Sequence, residues 1–188
     1  MNYITEYRSK KYYVGSVHAT NDHGPLKVLG RLDDPKCDLY AVEFLSTGFK
    51  TKARTSGIVK GMVKDYHVPV VFNRGFLGTG KHTTKKNGKT TREYKAWTGM
   101  FYRCYSSDPQ HKNYVRRGIT VDQRWHNFQI FCDDIEKLEG YEAWKNGFNM
   151  ALDKDIKFNG TYSNTSCMFI TKAENTKEAN NRRHSSKN

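Results

Sequence analysis

The chain has 188 residues, of which 36% are hydrophobic and 13% aromatic, and its 32 Lys and Arg against 19 Asp and Glu give a formal charge of +13. That length holds one ordinary domain or two small ones with thin cores, and the aromatic content argues against a disordered chain. The charge favours a polyanionic partner, nucleic acid first, although a basic RNA-binding protein of the ribosomal kind has the same balance.

Cys37, Cys104, Cys132 and Cys167 lie far apart, with no C-x-x-C pair and no Cys/His zinc spacing. No zinc site and no disulfide framework is therefore expected, and reduced thiols are. The opening "MNYITEYRSKKYY" has no apolar core of a signal peptide, and no apolar run approaches membrane-spanning length. A cytoplasmic protein with no membrane partner is the expectation. No nucleotide or organic cofactor is expected either.

In chain order, "LKVLGRL" and "LYAVEFL" read as strands separated by the turn-rich "DDPKCD", and Gly48 marks a turn into a third strand. "SGIVKGMVKDYHVPVVF" carries two glycines and a proline, so short pieces are expected rather than a helix. Several short strands in this span predict a small β-rich module over residues 1–78, barrel-like and a candidate nucleic-acid-binding module.

"GTGKHTTKKNGKTTR" follows. It contains Lys81, Lys85, Lys86, Lys89 and Arg92, no acid and almost nothing apolar, so residues 79–92 read as a flexible basic linker able to lie along phosphates. Beyond it the period changes. Trp97, Met100, Phe101, Cys104 and Tyr105 form one apolar helical stripe that should end at "SSDP". "QHKNYVRRGITVDQRW" reads as a basic loop, with Arg116 and Arg117 as candidate phosphate contacts, leading to an extended piece near Ile119–Val121. A second helix carries Phe128, Phe131, Ile135 and Leu138 on one side, with Asp133, Asp134 and Glu136 mostly off it, and "LEG" supplies a stop.

The last segment, "LDKDIKFNGTYSNTSCMFITKAEN", reads as strand, turn with an Asn-Gly hairpin signal, returning strand and helix start. A helix packed across such a hairpin can hold one divalent cation through oxygen ligands from two elements. Asp153 at the end of the first strand and Asn175 in the first helical turn meet that need. They are 22 positions apart (175 − 153). Arg182 and Arg183 follow as further candidate phosphate contacts, and residues 184–188 as a disordered tail.

These residues resemble the HNH nucleases, particularly the HNH homing endonucleases and related bacteriophage proteins. Asp153 falls on the family's metal aspartate, "TKAEN" is similar to its T-x-x-E-N helix entry, and "RRGITVDQRW", "YRCY" and "NNRR" are similar to flanking segments of degenerate phage HNH proteins. The resemblance implies an α+β chain: a β-rich N-terminal module, the basic linker, then a 93–183 domain of two helices and an HNH-like ββα-metal unit. It also implies a magnesium-type divalent cation on Asp153 and Asn175, duplex DNA as partner with RNA as an alternative, and the cytoplasm of an infected bacterium as the setting.

Two positions depart from the pattern. Lys154 stands in place of the general-base histidine, and Ser166 in place of the loop asparagine that orients it. Lysine, with a free pKa near ~10.4 against ~6.5 for histidine, is a poor base unless its surroundings lower that value. Lys154 and Asp153 are the candidate catalytic residues, Lys154 as base or as a phosphate partner, with His126 or His184 as substitute bases. Two functions follow: Mg-dependent nicking or cleavage of duplex DNA, or a regulatory DNA- or RNA-binding protein that keeps the frame without hydrolysis.

Overall fold

The structure is a computed structural model and describes residues 1–7, 9–34, 36–155 and 160–177. The chain divides into two compact units, Met1–Val68 and Pro69–Asn188, and is mixed α and β. Among the described residues no helix is long and apolar enough to cross a membrane.

The first unit is built on a four-stranded antiparallel sheet in the order β1 (Val17–His18), β2 (Leu26–Leu32), β3 (Leu39–Phe44), β4 (Lys50–Arg54). Alternation explains its face. Leu26 and Val28 of β2 are buried, and with Tyr40, Val42 and Phe44 of β3 they set the inner side. Ala53, Ile58 and Val63 complete that core, Ile58 coming from the short helix α1 (Thr55–Val59). A register shift between Val28 and Gly30 bends β2. At Gly30 a side chain would collide with the Tyr3 ring and the Ile4 carbonyl, because residue 4 pairs with Arg31 through two backbone hydrogen bonds.

The expected barrel is corrected by this topology. The sheet is an open meander whose outer strands are only two and five residues long, too little ladder to close.

The second unit carries the larger core. It begins with a turn at Val71–Arg74, and its hairpin β5 (Lys85–Lys86) and β6 (Lys89–Thr90) leads into helix α2 (Arg92–Tyr105). Trp97, Met100, Phe101 and Cys104 of α2 are buried, the face expected from their spacing. Thr91 caps α2 by accepting from the Tyr94 amide, and Ser106 ends it in extended backbone three residues before Pro109. The loop expected after it contains a 3-10 turn at Pro109–His111 and helix α3 (Lys112–Arg116).

Strand β7 (Thr120–Val121) precedes α4 (Phe128–Ile135), whose Phe128, Phe131 and Ile135 enter the core; Asp134, expected mostly off that side, is buried as well. Helix α5 (Tyr141–Lys145) follows Gly140, which holds φ +79° where an added Cβ would strike the Phe169 carbonyl. Strands β8 (Met150–Asp153) and β10 (Met168–Thr171) pair antiparallel, and β9 (Thr161–Tyr162) pairs in parallel with β7. Residues 172–177 are helical.

The stretch 79–92 differs from its expected role. It belongs to the second unit, ten or more residues past the boundary between Val68 and Pro69. The Gln129 side chain accepts from the His82 amide at 2.9 Å and donates to the His82 carbonyl at 3.0 Å. Lys85–Thr90 turns through Asn87 (φ +51°) and Gly88 (φ +74°), the two positive-φ residues a tight hairpin of this type requires. Few apolar side chains are involved; backbone hydrogen bonds and a turn order the segment, which composition does not register.

Cys104, Cys132 and Cys167 are buried free thiols, and burial pushes all three above the usual thiol range, Cys104 and Cys167 to about 11. Cys37 is half-buried and also free.

Candidate nucleic-acid interface and the Asp153 region

β8 and β10 are in register, with Asp153 opposite Met168, and the helix at 172–177 starts directly from β10. The connection between the strands runs from Lys154 to Cys167 and includes β9, so the Asn159–Gly160 signal does not close a two-residue hairpin; Asn159 itself lies outside the described residues. The helix entry has a local cause. Thr171 Oγ1 accepts from the Glu174 amide at 3.2 Å, while the Glu174 carboxylate accepts from the Thr171 amide at 2.9 Å and from its hydroxyl at 2.8 Å. This is a capping box, so the T-x-x-E spacing is accounted for by helix initiation alone. The same bonds hold the Glu174 carboxyl below the usual range. Asn175 is the half-buried residue in an otherwise exposed turn.

Asp153 is buried and its Oδ2 accepts from the Asp155 amide at 2.9 Å, a local turn across the D-K-D sequence. Lys154 is only 1% exposed. Its Nζ donates to Asp155 Oδ1 at 2.6 Å and lies 5.2 Å from the Tyr114 ring centroid and 5.5 Å from that of Tyr162. Arg117 donates to the same Asp155 oxygen at 2.9 Å. The ammonium expected to meet water or a phosphate is thus turned inward onto a carboxylate and two rings.

Ser166 is buried too. Its Oγ donates to the Thr161 carbonyl at 2.5 Å and accepts from the Ser163 amide at 3.0 Å, closing the turn before β10. Asp155, Tyr114 and Tyr162 escaped the sequence reading. The repeated acid in D-K-D marked the first, whereas nothing local marks two tyrosines distant in sequence.

Among the described residues, no three His, Cys, Asp or Glu side chains converge on a point that could hold a metal ion. What remains for the implied cation is the two-element pair Asp153 and Asn175. That is a thin donor set: Asp153 is buried and its Oδ2 already accepts from the Asp155 amide, while Mg²⁺ needs one or two carboxylates beside its waters. His126 packs 5.5 Å from the Phe101 ring with its Nε2 buried, and among the described residues that atom has no hydrogen-bond partner. Burial first, then Arg74, lowers its pKa against the raising effects of the Val121 backbone and Asp122. His184, Arg182, Arg183 and the tail at 184–188 lie outside the described residues.

The basic candidates separate into two groups. Lys81 pairs with Asp133 at 3.5 Å and Glu136 at 3.6 Å, and Arg117 with Asp155, so these charges are locally matched. Lys85, Lys86 and Lys89 stand exposed on the β5–β6 ribbon, and among the described residues none has an acidic partner. Arg116 is exposed at the end of α3. Arg92 lies over Trp144, 4.9 Å from its centroid.

Compared with family models, with curated proteins and with solved structures, the chain gives no match.

Proposed function

We propose that the chain is a nucleic-acid-binding protein, with duplex DNA as its first partner and RNA as the alternative, and that β8, β10 and the helix at 172–177 form an HNH-like ββα frame used for binding. The observation that carries the reading is the exposed ribbon bearing Lys85, Lys86 and Lys89, set just before α2 in a chain of net charge +13. Unmatched cations on a projecting ribbon suit phosphate contact, in which neutralised phosphates release counterions. Lys154 speaks for binding over hydrolysis, since its ammonium is engaged with Asp155 and buried.

The second reading, Mg-dependent nicking, is supported by Asp153 on β8 and Asn175 on the helix that continues β10, at the family's spacing. Asp153 and Asn175 would hold the cation, which would polarise the scissile phosphate, and His126 is the remaining described candidate base.

Binding is tested by fluorescence anisotropy on a labelled duplex across a salt series. Replacing Lys85, Lys86 and Lys89 together by Gln should reduce the salt slope by roughly one for each lysine on a phosphate. An unchanged slope removes the ribbon from the interface. Nicking is tested on supercoiled plasmid with Mg²⁺. Conversion that disappears in Asp153→Asn and in Asn175→Ala establishes hydrolysis; intact plasmid beside retained binding establishes the binding protein.

A further inference from the structure

An open cleft of about 280 Å³ lies in the second unit between α2, α5 and β8. Arg92, Lys95, Ala96 and Arg103 form the α2 wall; Trp144 and residues 150–152 form the other. Arg92, Ala96 and Arg103 fall on one helix face by their spacing, the two arginines about 16 Å apart along the axis, so this wall carries positive charge along its length. Three cations share the cleft and no acid lines it.

A solvated basic helix face would look different in its partners. On such a face, cations spread out or pair with acids at helical spacing. Here Arg92 rests on the Trp144 ring, and Arg103 donates from Nε to the Tyr162 hydroxyl at 3.0 Å. Burial raises the Tyr162 pKa well above its usual value, so that hydroxyl is a neutral acceptor, and among the described residues no acid forms an ion pair with Arg103. The acid next in sequence, Glu93, is taken by Lys145. Lys95 is exposed and, among the described residues, has no acidic partner.

Two guanidinium groups are therefore oriented by neutral aromatic partners, with an exposed lysine on the same wall and apolar walls that reduce screening. Like charges lining one cleft repel, and phosphoryl oxygens bound among them relieve the repulsion. Planar guanidinium forks match phosphoryl oxygens in geometry as well as charge.

We propose that this cleft is a phosphate-binding site, taking a phosphoryl group carried either by a nucleic-acid strand or by a free mononucleotide. The inference does not require that the chain bind nucleic acid.

The test is a titration of the full chain with inorganic phosphate at constant ionic strength against chloride. It follows the Arg92 and Arg103 Nε–H and the Trp144 indole N–H resonances by NMR. Saturable shifts at all three are expected. Lys95→Gln should weaken the phosphate affinity roughly tenfold, the effect of losing one charge-assisted hydrogen bond. Ala96→Leu, which fills the cleft and keeps every charge, should abolish the shifts, while Lys137→Gln, outside the cleft, should leave them as they were. Shifts that stay linear with phosphate, or that match the unmodified chain in both Lys95→Gln and Ala96→Leu, overturn the proposal.

Competition then identifies the source. Displacement of phosphate by adenosine monophosphate as well as by oligonucleotides indicates a free nucleotide. Displacement only by a 5′-phosphorylated oligonucleotide indicates a strand end, and equal displacement with or without that phosphate indicates the backbone.

Discussion

Asp134 shows how one buried carboxylate can organise a core. Its Oδ2 accepts from Arg124 Nε at 2.7 Å and from the Trp125 indole N–H at 3.0 Å, and its Oδ1 from Arg124 Nη2 at 2.9 Å. Burial pushes its pKa upward, and the bonds from Arg124 and Trp125 outweigh this and hold it low. Trp125 in turn accepts at its carbonyl from the Trp97 indole at 2.8 Å, so the carboxylate, two tryptophans and two helices are one network. Asp134→Ala leaves a buried indole N–H without its acceptor and should cost about 2–3 kcal/mol in urea unfolding. A change within about 0.5 kcal/mol, the scale of ordinary surface substitutions, would show that the network contributes little. At Lys154 the residue scale changes the chemistry instead. Lys154, a candidate catalytic residue as base or phosphate partner, is enclosed by Asp155, Tyr114 and Tyr162 and turned away from solvent.

At the scale of elements, α2 and α4 were legible from their stripes because both bury one face of large aromatics. The short segment joining β7 to α4 carries a measurable consequence. Burial lowers the pKa of His126 in the folded chain. Below its ordinary value near ~6.5 the unfolded chain gains a proton that the folded ring resists. Stability from this group is therefore present above about pH 6.5, by that ordinary value, and is lost as pH falls from there through the lowered folded value. Urea unfolding at pH 7.5 and 5.5, read by tryptophan fluorescence, should show a decline at the lower pH that His126→Gln reduces. Equal declines in both chains would assign the acid sensitivity to other groups. The two Asn-Gly signals show the limit of local reading. Asn87–Gly88 forms a hairpin inside a stretch whose composition read as linker, whereas Asn159–Gly160 lies in a connection that runs through β9.

For the whole molecule, the division between Val68 and Pro69 places all three tryptophans, Trp97, Trp125 and Trp144, in the second unit. Each is buried in its core, together with Phe101, Phe128 and Phe131. A fragment of residues 69–188 should therefore give a cooperative tryptophan-fluorescence transition by itself. A fragment cut at the expected linker, residues 93–188, should not, because it lacks the Phe76 and His82 backbone partners of α4's entry and of Gln129. A cooperative transition in the shorter fragment would show that these bonds are dispensable.

The sequence by itself determined the mixed α and β class, the apolar faces of α2 and α4, the strands β2 and β3, and the excess of positive charge. These depend on period and composition, which burial reads directly. Tertiary structure alone decided that the lysine-rich stretch joins the second unit, since its bonds are made by backbone groups to a distant glutamine. Tertiary structure also turned Lys154 inward onto Asp155, and gathered Arg92, Lys95 and Arg103 against Trp144 in one cleft. Where a charge finds its partner depends on chain segments far apart in sequence, and no local pattern carries that information.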